Sequence, residues 1–216
     1  MDLAIIAAKQ VLQLLLMILA GAVCCKAGVF KPQDKSILSN ILLYLVVPAM
    51  VIDSYLVEFD PETFRNLLSA FGLSILALAI GLAVAVLATC RVAKENRAIL
   101  RFACGFSNAA YMGFPLIKAL FGSEGLLYAS AFVTVFNIAL WTIGYGIVSG
   151  SASAKEIVHS IVTCPCILAV TLGLVLYLGR VPVPEVLAGP IGTIGSMNTP
   201  LSMIITGATI ASSDLK

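Results

Sequence analysis

Gly105-Phe106-Ser107-Asn108-Ala109-Ala110-Tyr111-Met112-Gly113-Phe114-Pro115 lies inside an uncharged run that extends only from Phe102 to Ile117. A helix that crosses a bilayer needs about 20 mostly apolar residues, so this run is short, and it contains residues that disturb helices. Pro115 has no N–H, and its ring clashes with the carbonyl of Tyr111. Gly113 lowers the cost of non-helical dihedrals. Ser107 and Asn108 add polar side chains at a similar depth. In hydrocarbon, irregular backbone is tolerated only where protein or a watery cavity satisfies it. A short apolar segment interrupted by Gly and Pro is therefore a pointer to a transporter binding site. A proline-kinked helix with Asn108 bonded to a neighbour explains each residue singly, but explains the four together less well. The expectation is a break at Gly113-Phe114-Pro115 that starts a half-helix toward Lys118, with Asn108 and Tyr111 on the preceding half.

The composition agrees. Of 216 residues, 60% are hydrophobic and 11% charged, against about 25% charged in an average soluble domain. Mean hydropathy is +1.06. These values exclude a disordered chain, a nucleic-acid binder and an ordinary cytosolic enzyme. The few charges cluster between uncharged runs at 66–90, 125–154 and 186–213. Seven membrane segments are predicted, at 8–28, 36–57, 66–88, 100–120, 126–149, 161–179 and 188–211, giving an all-α polytopic membrane protein. A secretory signal peptide is the competing reading of the first. It fits poorly, because Met1-Asp2 is acidic and no small-residue cleavage site precedes soluble sequence. Lys26, Lys31, Lys35, Arg91, Lys94, Arg97, Arg101, Lys155 and Lys216 fall on one side of such a chain, and Lys9, Arg65, Lys118 and Arg180 on the other. The excess marks the first side as cytoplasmic. That puts the N-terminus outside, in a plasma (inner) membrane.

An internal repeat is also legible. Pro48, in Val47-Pro48-Ala49, and Pro200, in Thr199-Pro200-Leu201, lie 152 residues apart. The same offset carries Val11, in span one, onto Thr163, at the start of span six. Each copy follows its original by five spans, and an odd number inverts the second copy, as in inverted-repeat transporters. Two such units need about 300 residues. Residues 1–150 are expected to hold the first five-helix repeat, and 151–216 the first two helices of the inverted second. On this reading the chain is a fragment or truncated product.

Ser107 to Leu116, followed by Gly122 and Tyr128, resembles the fourth-helix region of the auxin efflux carrier family, which includes bacterial malate or malonate permease-like members. Val47-Pro48-Ala49, Asn137 and Thr199-Pro200-Leu201-Ser202-Met203 with Gly207 resemble it too. The resemblance implies ten spans in two inverted halves. Spans one, two, six and seven would form a scaffold carrying a homodimer contact, and three to five with eight to ten a moving transport domain. Broken helices four and nine would cross near the midplane and cradle an organic anion. On that mapping Asn108, Met112, Gly113 and Pro115 fall at the first crossover. The eighth to tenth spans are lacking here, so a non-transporting subunit or scaffold fragment is the alternative function.

Several other residues are candidates. Ser107, Tyr111 and Asn137 join the candidate substrate contacts, and Pro48, Pro200 and Asp53 are candidates for the architecture of the crossing. Asp53 is the one acidic residue deep within a predicted span, a functional candidate that can also reach the interface. Thr134 and Asn137 share a helical face and either line a cavity or bond between helices. Gly146, Gly150, Gly192 and Gly195 are explained by close helix packing. The six cysteines read as small buried hydrophobes rather than a metal or redox site. No P-loop, GxSxG or HExxH motif occurs, so no enzyme and no cofactor is expected. Membrane lipid and a small organic anion are the expected partners. Coupling to H+ or Na+ is left open.

Overall fold

In hydrocarbon a backbone can satisfy its N–H and C=O groups only by closing them on itself, and the apolar runs accordingly fold as helices. The computed structural model describes residues 3–29, 31–106, 109–149, 153, 155, 158–159 and 162–212. The chain is an all-α polytopic membrane protein.

Span one is α1, Leu3–Lys26. Its 24 residues are about 36 Å long at 1.5 Å per residue. A 3-10 turn at Pro32–Asp34 leads into α2, Lys35–Tyr55, which is span two and contains a π-type stretch at Leu42–Val46 just before Pro48. Span three is α3, Pro61–Ala88. Its start is fixed by Asp60, whose Oδ2 accepts from Thr63 N–H at 2.7 Å, and by Pro61 at the first helical position.

Span four is split between α4, Lys94–Gly105, and the first arm of α5, Ala109–Ala139. α5 consists of two helical arms that meet at Gly122 (φ 66°, ψ −152°), where the chain reverses. Packing establishes the reversal: the Phe106 and Phe136 rings are 5.6 Å apart, whereas thirty residues of straight helix would separate them by about 45 Å. Span five is thus the second arm, 123–139, a π-type turn at Leu140–Gly144, and α6, Tyr145–Ser149. Span six is α7, Pro165–Leu178. Span seven is α8, Glu185–Ser196, followed across Met197 by α9, Asn198–Ser212.

The helices approach most closely at glycines. Where α1 crosses α9, a Cβ on Gly21 would meet the Ile204 backbone, and one on Gly207 would meet the Ile18 carbonyl and lie 2.8 Å from Ala22 N. Where α2 crosses α7, a Cβ on Gly173 would fall 2.6 Å from Cδ2 of Tyr55. Shifting the first crossing by 152 residues gives the second: Gly21 maps onto Gly173, and Tyr55 onto Gly207. Gly195 of α8 meets the Met50 backbone, and Gly192 lies opposite Asp53. The packing expected of Gly146 is absent, since nothing lies within 4 Å of where its Cβ would be. Gly150 is outside the described residues.

The core lies between these spans. It joins Val46, Val47, Met50, Val51 and Tyr55 to Leu67, Phe114, Leu127, Ala131, Cys166, Val170 and Ile205. Cys164 and Cys166 are both buried. By contrast Leu12, Leu15, Leu16, Leu19 and Val23 of α1 and Leu73, Ile75, Leu76, Ile80 and Val84 of α3 are exposed, as surfaces in contact with lipid should be.

Candidate functional site: an interrupted span beside a polar helix face

Span four breaks, but not where the proline pointed. α4 ends at Gly105, Phe106 is extended (φ −122°, ψ 99°), and the chain is helical at Ala109, the next described residue. The interruption therefore precedes the half-helix that carries Tyr111, Met112, Gly113 and Pro115. This corrects the expected break at Gly113-Phe114-Pro115. Pro115 lies inside a continuing helix and is buried. Loss of its one hydrogen bond to the Tyr111 carbonyl is a local defect that membrane helices tolerate. Ser107 and Asn108 lie outside the described residues, and Tyr111 and Met112 are described by backbone alone. Gly113 is helical, and its Cβ position is open to 4 Å.

Aromatic rings and glycines hold the interruption in place. Phe106 is buried, 5.3 Å from the Phe102 ring and edge-on to Phe136. Gly105 packs on Leu82 of α3, where a Cβ would come 2.8 Å from Cδ2. Gly144 of span five packs on the same two rings, where a Cβ would come 3.0 Å from Phe106 and 3.2 Å from Phe102. Spans three, four and five are thereby locked around the break. A helix N-terminus presents N–H groups that have no partner in their own helix and the positive end of the dipole, an arrangement that favours anions.

Beside this unit, span five presents Ser130, Thr134 and Asn137 at a spacing that puts them on one face. Ser130 is 1% exposed; its Oγ lies 2.7 Å from the Leu127 carbonyl and 2.9 Å from the Tyr55 hydroxyl. Thr134 donates to the Ser130 carbonyl at 2.8 Å. Asn137 donates to the Val133 carbonyl at 2.9 Å and lies beside the Cys166 thiol. This face thus meets Tyr55 of α2 and Cys166 of α7.

The remaining candidates lie elsewhere. Asp53 is half-buried in the last turns of α2 against α8, where a Cβ on Gly192 would stand 3.0 Å from its Oδ1. Pro48 follows the π-type stretch of span two, and Pro200 is the third residue of α9, just past the discontinuity at Met197. Both prolines mark irregular points in their helices. A cavity of about 390 Å³ at the far ends of α2 and α7 is lined by Glu58, Phe59, Tyr177 and Arg180, with the Arg180 guanidinium 4.5 Å above the Phe59 ring.

Three residues were not anticipated. Tyr55 and Ser130 pair across 75 positions of sequence, a relation that no local pattern encodes. Asn198 is 1% exposed, and neither atom of its amide has a hydrogen-bond partner among the described residues. Its place before Thr199-Pro200 was the available signal.

Apolar helices that cross hydrocarbon, with a break flanked by polar groups, define a membrane transport protein. Comparison with known sequences agrees. The model of the membrane transport protein family matches residues 6–163, and the chain belongs to that family, the auxin efflux carriers. An uncharacterized transporter of Methanothermobacter thermautotrophicus is 25% identical over 207 residues, covering 94% of this chain and 67% of the relative. Another, from Methanocaldococcus jannaschii, is 23% identical over 219 residues, covering 95% and 70%.

Proposed function

We propose that this chain belongs to a secondary carrier for small organic anions, such as carboxylates, that works by alternating access. Spans one, two, six and seven form the scaffold and the homodimer contact. Spans three to five move as a unit and carry the binding site at the interruption of span four. The observation that carries this reading is the stop at Gly105 and the extended Phe106 within one predicted membrane segment. The half-helix N-terminus, the Asn108 amide and the Ser107 hydroxyl supply neutral donors. An intramembrane cation is dispensable, and Arg101, on the other half, spends its Nε on Thr89 Oγ1 at 3.0 Å. The 152-residue correspondence between the two glycine crossings supports the inverted repeat. The loop charges support an inner-membrane protein with its N-terminus outside.

The test is substrate affinity on purified carrier, with malate and indole acids as probes. Asn108→Ala should weaken binding by roughly ten- to a hundredfold, the equivalent of about 1.5–3 kcal/mol for a lost hydrogen bond to a charged group. Pro115→Ala should leave affinity unchanged, because it only restores an intrahelical donor. Unchanged affinity in Asn108→Ala, or an equal loss in both variants, would place the site elsewhere.

A further inference from the structure

We propose that the Tyr55 hydroxyl and the polar face of span five form a one-turn ratchet, in which Tyr55 pairs with Ser130 in one state and Thr134 in the next. The proposal rests on the carrier reading above, in which spans three to five slide against the scaffold. Tyr55 is a scaffold residue held from behind by Gly173 of α7, and it is 1% exposed. Ser130 belongs to the moving unit. Their 2.9 Å contact is a buried hydrogen bond across the boundary along which sliding would occur.

The donor arithmetic shows what can replace it. Ser130 has one hydroxyl proton, which the Leu127 carbonyl accepts at 2.7 Å. Its oxygen is then the acceptor for the Tyr55 O–H. Thr134 is in the same condition one turn on: its proton goes to the Ser130 carbonyl at 2.8 Å, and its oxygen keeps free lone pairs. Thr134 is buried and shares the face with Ser130. Two chemically equivalent acceptors therefore lie about 6 Å apart along the helix, and one fixed donor faces them. Between the two stations the Tyr55 hydroxyl has no partner. In a dry interface that costs free energy, so intermediate registers are disfavoured and the motion is stepped.

The neighbouring contacts are in register with this step. Asn137 lies beside Cys166, and Ser130 beside Tyr55 on Gly173. Each pair of partners is separated by seven residues, on antiparallel helices. A displacement of span five by one turn toward the 56–60 loop brings Thr134 to Tyr55. It moves Asn137 from Cys166 toward Val170, and it carries along the interruption at Phe106, which is tied to Phe136.

Double electron–electron resonance between spin labels at Phe121→Cys and Val186→Cys reads the register, since both positions are exposed. Cys24, Cys25, Cys90 and Cys104 are replaced by Ala in this background, and the buried pair is kept. Otherwise wild-type carrier should show two distances, differing by about one helical turn. Ser130→Ala should shift the population ratio toward the Thr134 station by roughly three- to tenfold, and Thr134→Val should shift it the opposite way by a similar factor. Tyr55→Phe should broaden the distribution between the two. A single distance in every variant, or shifts of the same sign in Ser130→Ala and Thr134→Val, overturns the ratchet. Radiolabel uptake measured in parallel separates the two readings. Opposite shifts without uptake sink the carrier reading alone, whereas uptake with one invariant distance sinks the ratchet alone.

Discussion

Gly207→Ala should force α1 and α9 apart. At the crossing of these helices a methyl group would run into the Ile18 carbonyl and come to 2.8 Å from the amide nitrogen of Ala22. Comfortable separations are about 3.5–4.0 Å, so the helices must separate by at least roughly 0.7 Å. The obstructing atoms are backbone, and no side-chain rotation relieves them. A radial gap of that size forfeits a quarter to a half of the dispersion well for the contacts along the seam. Without a hydrophobic drive between helices in lipid, such close packing is a main source of association. Overpacking typically costs about 1–3 kcal/mol, and this site belongs at the upper end. The matched control is Gly146→Ala, where nothing lies within 4 Å. Helix propensity there favours Ala by up to about 1 kcal/mol. Thermal unfolding of purified protein in detergent measures both. A Gly207→Ala protein as stable as Gly146→Ala would refute the close approach of α1 and α9, and with it the register of the whole seam.

Three further outcomes are expected. Gly122→Ala should destabilise by about 1–3 kcal/mol, because φ 66° with ψ −152° is open almost only to glycine although space for a methyl exists; unfolding of the purified variant checks it. The Thr63 N–H and hydroxyl bonds hold the Asp60 carboxyl below its ordinary value. Its cap therefore stabilises α3 fully above the usual carboxylate range and is lost as pH falls through that lowered value. Asp60→Asn should flatten the acid limb of a stability–pH profile. Single cysteines at positions 97 and 60 should label from opposite faces of intact cells, with position 60 outside; strong outside labelling at 97 and none at 60 would invert the topology.

Of the seven predicted spans, the structure shows four apolar stretches long enough to cross a membrane among the described residues, Ile5–Lys26, Lys35–Tyr55, Pro61–Ala88 and Gly113–Val148; these were legible because hydropathy over twenty residues sums many small terms, and no single contact overturns the sum. The position of the break was not. Pro115 looked decisive, yet a proline costs one hydrogen bond, and a packed membrane helix absorbs that. The helix instead stops at Gly105, just before Ser107-Asn108, residue types whose side chains compete for the backbone and favour helix ends. The 152-residue offset was read from Pro48 and Pro200 because proline leaves a trace in any context. That Gly21 and Gly173 share this offset carried no visible mark until each glycine met a neighbouring helix. Tyr55 had no signature at all, since its partner and its supporting glycine come from distant spans.

Tyr55 and Gly207, 152 positions apart, sit at different kinds of crossing. At the α1–α9 crossing Gly21 and Gly207 each meet the backbone of the other helix. At the α2–α7 crossing the equivalent of Gly207 is Tyr55, and its ring fills a wider gap over Gly173. The ring and the hydroxyl therefore do separate jobs, and substitution can divide them. Tyr55→Ala removes the filling and should destabilise by about 3–5 kcal/mol, the cost of deleting a buried aromatic ring. Tyr55→Phe keeps the filling and removes only the bond to Ser130, so it should lose about 0.5–1.5 kcal/mol. Unfolding of the two purified variants under one set of conditions gives both numbers. If Phe proves as damaging as Ala, then the bond of the hydroxyl to Ser130 of span five, rather than the ring on Gly173, fixes α2, and the packing explanation of this crossing fails.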